Sequence, residues 1–135
     1  MNSEDIRWKQ RFQNFEKALH YLEHALSIEN PDIVYKAGII QFFEMSFELA
    51  WNVLKDYLEE QGFLEVKSPK SSLKKAFEIG IIDNGHIWME LLQDRNLTAH
   101  TYDEKKIIEV ELLIHKKYFP LLKELYEYFK IKSSE

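Results

Sequence analysis

The sequence predicts an all-α protein that folds as an antiparallel, up-and-down four-helix bundle with one short extra helix. Apolar residues recur at alternating spacings of three and four over three long segments, as on one face of a helix. No segment of useful length alternates apolar and polar residues as a strand would. The chain has 135 residues and no internal change of composition, so we expect a single domain over residues 1–135.

The first two predicted helices are long. The first runs from about residue 4 to about residue 28, and its apolar stripe consists of Trp8, Phe12, Phe15, Leu19, Leu22 and Leu26. Asn30 and Pro31 are typical of an N-cap followed by the first helical residue, and Gly62 is a typical helix stop. The second helix should therefore span the whole domain.

The second helix is apolar on more than one side. One stripe consists of Ile40, Phe43, Phe47, Ala50, Leu54 and Leu58, and a neighbouring stripe of Ile39, Phe42, Leu49, Val53 and Tyr57. A helix of this kind lies at the centre of a bundle or between a bundle and a second subunit. Together with the high share of apolar residues, 45%, this pattern favours a homodimer.

Two short helices and one long helix complete the predicted fold. Ser68-Pro69 opens a short helix that Gly80 closes, and Asp83 can cap another one. Residues 101–104 form a capping box from which the last helix starts at Tyr102. The stripe of this last helix consists of Ile107, Val110, Ile114, Tyr118, Leu121, Leu125 and Phe129, and Pro120 should kink the helix.

Charge and composition exclude several classes of protein. The formal net charge of −5 argues against a protein that coats nucleic acid nonspecifically, because that mode needs many basic residues. The absence of cysteine excludes disulfides and thiolate metal sites. The N-terminal residues do not resemble a signal peptide and no apolar run is long enough to cross a membrane, so we expect a cytoplasmic protein without a membrane contact.

The densest chemistry in the sequence lies between residues 95 and 102. This stretch contains a permanent cation, Arg95, an amide, Asn96, an imidazole, His100, and a phenol, Tyr102. A guanidinium near an imidazole suits a phosphate-bearing ligand, because the guanidinium supplies forked donors and the imidazole titrates near neutrality. We therefore predict a phosphate-binding site at Arg95, Asn96 and His100.

These residue types also suit phosphodiester cleavage. His100 could take the proton of a ribose 2′-hydroxyl or protonate the leaving oxygen, while Arg95 offsets charge on the phosphoryl oxygens. Neither a metal nor a cofactor is required. One set of residues is too few for acid and base catalysis together, whereas two copies across a two-fold axis would supply both roles. The simpler alternative is that Arg95 caps the end of a helix and His100 packs in a turn.

Three other groups of side chains have patterns that could indicate a role. Glu44 and Glu48 lie one turn apart on an apolar helix, and we expect them either to pair with cations across the bundle or interface, or to hold Arg95. His20 and His24 have the spacing of two metal ligands, but a third ligand is missing nearby, so no metal site is predicted. A small basic patch is interpreted as a solvated face or an RNA-docking surface; it consists of Lys67, Lys70, Lys74 and Lys75.

Most of the sequence resembles the nucleotidyltransferase substrate-binding protein family. The signature helix is matched by QFFEMSFELAW at residues 41–51 and LKDYLEEQG at residues 54–62. The later matches, in the same order, are Ser68-Pro69, Ala76-Phe77, residues 80–83, Trp88, residues 94–98 and residues 100–104. Asn52 departs from the pattern where a basic residue is expected, and Lys70 where arginine is more usual.

The resemblance implies a place in the HEPN superfamily, with its Arg-x4-6-His motif. In the HepT branch the motif is Arg-x4-His-x-Tyr, which Arg95, His100 and Tyr102 match. The family implies a helical homodimer that binds a small, separately encoded nucleotidyltransferase of the MNT type. In HepT-like members the paired motifs form a metal-independent ribonuclease toxin, and the transferase acts as antitoxin by adding AMP to the motif tyrosine, here Tyr102.

Three functions therefore remain open. The first is a homodimeric partner subunit of a nucleotidyltransferase, with a nucleotide or RNA phosphate held at the dimer cleft. The second is a toxin ribonuclease that uses Arg95 and His100 and is silenced by AMP on Tyr102. The third is a structural adaptor whose motif is inert.

Overall fold

A computed structural model describes residues 3–95 and 103–135. Every regular element in these two ranges is helical, which confirms the predicted all-α class. The elements are α1 (Ser3–Leu26), α2 (Ile33–Glu60), α3 (Pro69–Glu78), α4 (Gly85–Asp94), α5 (Glu104–Leu113) and α6 (Phe119–Ser133), with a π-helical turn over Ile114–Tyr118. The π turn joins α5 to α6 without a break, so these segments form one long rod.

Contacts between side chains fix the directions of the helices. Trp8 meets Tyr57 with ring centroids 5.5 Å apart, and Tyr21 meets Phe42 at 5.8 Å, so α1 and α2 run antiparallel. Asp94, at the end of α4, meets Tyr118, near the middle of the last rod. The start of α4 lies farther along that rod, where Trp88 borders a cavity with Leu121 and Leu125. Successive members of the bundle therefore alternate in direction, as in an up-and-down bundle. These members are α1, α2, α4 and the last rod, and α3 is the extra helix.

The predicted apolar stripes form the core. All seven stripe residues of the last rod are buried, and on α1 only Leu26 is partly exposed. On α2 the first stripe is fully buried, whereas Phe42, Leu49 and Tyr57 of the second stripe are half-buried. Because α2 packs against α1, α3, α5 and α6, it is the central helix of the bundle. No helix in the described ranges is long and apolar enough to span a bilayer.

Three predicted helix starts are wrong by one or two residues. The N-cap of α2 is Asp32, whose carboxylate accepts a hydrogen bond from the Tyr35 N–H at 2.9 Å. Asn30 instead adopts a φ of 49°, a left-handed conformation that asparagine tolerates better than most residues. Asn84 rather than Asp83 precedes α4. The last rod begins at Glu104 rather than at residue 102, because Asp103 is its N-cap.

The predicted disturbance at Pro120 takes the form of the π turn. Pro120 has no N–H to donate, and its ring would collide with the carbonyl four residues earlier in a regular α-helix. The backbone widens directly before it, and Phe119 donates to the carbonyl of Ile114, five residues back. One extra residue in the turn therefore absorbs the proline.

A buried carboxylate lies where α1 meets α2. The side chain of Asp56 is 1% exposed, and one of its oxygens lies 3.3 Å from Nε of Arg11. Neither oxygen accepts a hydrogen bond from the described residues. Burial raises the pKa of Asp56, whereas the positive charge of Arg11 lowers it. Arg11 also donates to Oδ1 of Asn52 at 2.9 Å, so one guanidinium joins two positions of α2 to α1.

Replacing Arg11 with alanine is expected to lower the free energy of unfolding by about 2 kcal/mol at about pH 7, because it strips a buried carboxylate of its main counter-charge. The loss should shrink at lower pH, since the raised pKa lets Asp56 bind a proton in the folded state and shed its charge. Urea titrations at both pH values measure this. Lys17→Ala, on the exposed face of the same helix, serves as the control. Equal losses at both pH values would contradict this account.

Candidate functional site

Arg95 follows directly after α4 as its C-cap. Its guanidinium carbon lies 5.3 Å from the centroid of the Phe47 ring, and Nη1 lies 3.9 Å from a carboxylate oxygen of Glu48. A cation over an aromatic face gains about 0.5–1 kcal/mol at an exposed site. Because the side chain is 30% exposed, the guanidinium is held against α2 while part of it faces solvent.

Two carboxylates of α2 lie beside this cation. Burial raises the pKa of Glu44, and the positive charge of Arg95 opposes that rise. Glu48 is 60% exposed and forms the long ion pair with Arg95. The Glu48–Arg95 pair fits both interpretations of these glutamates, because it is an ion pair across the bundle and its cation is the predicted site residue. Water screens an exposed pair of this kind, so an anionic ligand could compete for the guanidinium.

The end of α4 is fixed by a buried tyrosine on the last rod. The Tyr118 hydroxyl donates a short hydrogen bond to the carboxylate of Asp94, the residue before Arg95. The Tyr118 ring stacks on Phe43 of α2 with centroids 5.8 Å apart. Burial and the bond to Asp94 both raise the pKa of Tyr118, so the phenol stays protonated and remains a donor. The position of Arg95 is therefore set by contacts with two other helices.

Replacing Tyr118 with phenylalanine is expected to cost about 1.5 kcal/mol of unfolding free energy, since it removes a hydrogen bond to a charged acceptor and keeps the ring. Thermal unfolding followed by circular dichroism measures the loss. Tyr21→Phe, at a position that is 61% exposed, should change almost nothing. If both variants had the melting temperature of the wild type, the Tyr118–Asp94 bond would have no role in fixing α4.

An open groove of about 630 Å³ lies beside Arg95. Helix α3 contributes Lys70 and Lys74 to its wall, and α4 contributes Met89 and Gln93. Three cations, the two lysines and Arg95, therefore border one depression. Such an arrangement can hold a phosphate through several charge-assisted hydrogen bonds.

The four-lysine patch of the sequence is not a single surface. Lys75 pairs with Glu78 at 2.6 Å and lies over the Phe63 ring. Lys67 borders a different cavity, next to Asp56. Only Lys70 and Lys74 face the groove beside Arg95, because they lie one turn apart on the same side of α3.

Of the predicted site residues, Arg95 alone lies within the described ranges. Asn96, His100 and Tyr102 lie outside them, so their roles stay predictions. Asp103 follows as the N-cap of α5. Over residues 3–95 and 103–135, no group of three His, Cys, Asp or Glu side chains could hold a metal ion.

Sequence reasoning missed the partners that position Arg95. The spacing of Phe47 predicts a core position, and nothing in that spacing shows that a cation lies over its ring. Asp94 and Tyr118 are 24 residues apart, so only the packing of α4 on the last rod brings them together.

Comparisons with known proteins agree with this fold. The model of the family "Nucleotidyltransferase substrate binding protein like" matches residues 10–131. A crystal structure of a protein from Thermus thermophilus is 33% identical, with a TM-score of 0.76, and the match covers 82% of this chain and 94% of that one. A Haemophilus influenzae structure, presented as the fold of a substrate binding domain of a nucleotidyltransferase, is 27% identical with a TM-score of 0.78 and covers 88% of this chain and 98% of that one.

A curated relative from Haemophilus influenzae, named "Probable ribonuclease HepT", is 32% identical over 78 residues. That alignment covers 55% of this chain and 53% of the relative, so the chain spans about half the length of the relative it matches. The family model, by contrast, covers nearly the whole chain and includes all the elements that position Arg95. The chain therefore belongs to the nucleotidyltransferase substrate binding protein-like family.

Proposed function

We propose that this protein is the substrate-binding subunit of a small, separately encoded nucleotidyltransferase of the MNT type, in a two-gene module like a toxin–antitoxin pair. In this proposal it works in the cytoplasm as a homodimer, and Arg95, Asn96 and His100 of each copy hold the phosphate of a nucleotide or RNA at the dimer cleft. The family assignment and the Haemophilus structure, presented as a nucleotidyltransferase substrate binding domain, support this proposal.

The observation that carries the proposal is the placement of Arg95. Its guanidinium rests on Phe47, 3.9 Å from Glu48, at the edge of a groove that also contains Lys70 and Lys74. A cation placed in advance loses little side-chain entropy when it binds a phosphate. The remaining predicted ligands, Asn96 and His100, follow Arg95 in the sequence and lie outside the described residues.

Exposed apolar side chains on α2 and α5 are available for the proposed dimer contact. Met45 on α2 is 49% exposed, and Ile108 and Leu112 on α5 are 45% and 49% exposed. Because α2 and α5 pack against each other, these side chains belong to neighbouring helices of one monomer. Apolar patches of this kind often mark protein interfaces.

Co-expression with the nucleotidyltransferase encoded by a neighbouring gene tests the proposal. A tagged copy of the full chain should retain the transferase through size-exclusion chromatography, and light scattering should give a mass that contains two copies of this chain. Mass spectrometry of the co-expressed protein should show one added AMP on Tyr102. If the chain is monomeric and the transferase elutes separately, the proposal is wrong.

A second candidate function, a metal-independent ribonuclease, is favoured by the similarity to the HepT relative. In that reaction the ribose 2′-oxygen attacks phosphorus and the bond to the 5′-oxygen breaks. One His100 of the dimer would take the 2′-hydroxyl proton and the other would protonate the leaving oxygen. Arg95 would stabilise the charge on the phosphoryl oxygens. AMP on Tyr102, transferred from ATP with loss of pyrophosphate, would block the cleft.

Incubation of the unmodified dimer with RNA and EDTA tests this second candidate. Cleavage that disappears in His100→Ala, with the fold retained by circular dichroism, supports it. Absence of cleavage by the unmodified wild type would rule out the ribonuclease and leave the binding subunit.

A further inference from the structure

We propose that the groove between α3 and α4 is a docking track for single-stranded RNA, with phosphates at Lys70, Lys74 and Arg95 and a base stacked on Phe77. The inference deepens the second candidate function and rests on it for the choice of RNA. The groove itself consists of residues outside the Arg-His motif, apart from Arg95.

The track is continuous along both helices. The cavity beside Arg95, about 630 Å³, and a second one of about 570 Å³ share Lys74 and Met89 in their walls. The far end of the second cavity is lined by Phe77 and His86. Helices of 10 residues are about 15 Å long, so the groove is long enough for more than one nucleotide.

Charge favours a phosphate backbone at the Arg95 end. Lys70 and Lys74 are exposed, and neither forms an ion pair with any residue that the structure describes. The other end has two carboxylates in its lining, Glu78, which Lys75 holds at 2.6 Å, and Asp83, so the phosphates are assigned to the Arg95 end. The first turn of α3 is satisfied by its own capping box between Ser68 and Ser71, so attraction for anions comes from the side chains.

An exposed aromatic ring lies at the end of the groove farther from Arg95. Phe77 is 54% exposed, and its ring lies across Gly85, where a Cβ atom would come 3.0 Å from the ring. The glycine therefore lets the ring lie flat on the start of α4. A phenylalanine ring has no hydrogen-bonding group, so it suits stacking on any base without sequence preference.

The two ends together distinguish RNA from a protein partner. An apolar peptide would match Phe77 but not the three cations, and an acidic peptide would match the cations but gain little from the ring. A nucleotide chain carries phosphates and flat bases in alternation, and so matches both ends. The cationic end of the groove stops at Arg95, the one predicted site residue within the described ranges.

Fluorescence anisotropy tests the proposal with a labelled RNA single strand about 10 nucleotides long, in EDTA and over a range of salt concentrations. Every binding measurement uses the full chain carrying His100→Ala, so that the probe stays intact, whereas cleavage is measured with chains that keep His100. Lys70→Ala/Lys74→Ala should weaken binding about tenfold and reduce the slope of log affinity against log salt by about 1.4, because two phosphate contacts are lost. Phe77→Ala should weaken binding by about tenfold without changing that slope. Phe77→Tyr keeps a ring for stacking, so it should bind RNA with the affinity of the parent.

The matched control is Lys17→Ala/Lys116→Ala, which removes the same charge from exposed positions on α1 and in the π turn. It should bind as the parent does, and all variants should share its melting temperature. If the control and the groove variant lose affinity equally, or if free AMP binds while the RNA does not, the docking track is wrong. RNA binding that depends on the groove, in a protein that never cleaves, would keep this inference and reject the ribonuclease. RNA cleavage at an unchanged rate in the groove variants would support the ribonuclease and reject the docking track.

Discussion

Replacing Arg95 with alanine is expected to weaken binding of a phosphate-bearing ligand by about 30-fold and, under the ribonuclease candidate, to slow RNA cleavage by about 100-fold, with little loss of stability. A hydrogen-bonded cation contributes about 1.5–3 kcal/mol to the binding of an anion, and a donor aimed at developing charge contributes more. Stability should change by less than about 1 kcal/mol, because the ion pair of Arg95 with Glu48 is exposed to solvent and a cation–aromatic contact such as that with Phe47 contributes little.

Two further variants make this prediction specific. Glu48→Gln removes the carboxylate that competes with the ligand, so affinity for phosphate should be unchanged or higher. Arg95→Lys keeps the charge but loses the planar fork, so it should recover only part of the affinity. Titration calorimetry with a short oligonucleotide measures the affinity, and melting curves measure the stability of each variant. Wild-type affinity in Arg95→Ala would contradict the proposed phosphate site.

Replacing Trp88 with alanine should cost about 3–5 kcal/mol of unfolding free energy, the typical cost of a large core cavity. Trp88 is 2% exposed and anchors α4 in the core. Urea unfolding followed by far-ultraviolet circular dichroism measures the loss without depending on tryptophan fluorescence. Ile131→Ala, at a position that is 65% exposed, is the control and should change stability by less than about 0.5 kcal/mol. A loss below about 1 kcal/mol for Trp88→Ala would show that α4 is not held by this side chain.

Helix periodicity predicted the core because burial selects the same residue types at every turn. The stripe from Ile107 to Phe129 is buried throughout, since each of its members faces α2, α4 or α1. The caps were harder to predict. Asn30 and Asp32, or Asp83 and Asn84, are equally able to cap a helix, and the choice depends on backbone angles that spacing does not reveal.

The candidate site was predicted less completely than the fold. Motif spacing predicted Arg95 as a site residue, and the structure places it directly after α4, while its role as a ligand stays a prediction. The groove depends on how α3 packs beside α4, and the hold on Arg95 depends on Phe47 and Tyr118 from distant parts of the chain. Contacts between residues far apart in sequence leave no periodic signal, so single-sequence reasoning does not find them.

The π turn over Ile114–Tyr118 is the position in the last rod where the loss of one residue would disturb the packing least. A π turn holds one residue more than the α-helical turn it replaces. Loss of a single residue there, in a chain that also lacks Pro120, would restore regular α-helix and leave Val110 and Leu125 on their present faces, whereas the same deletion elsewhere in the rod would rotate everything beyond it by about 100°. Homologues one residue shorter in this segment should therefore superimpose on both halves of the rod, and single-residue gaps in the last helix should cluster at this turn.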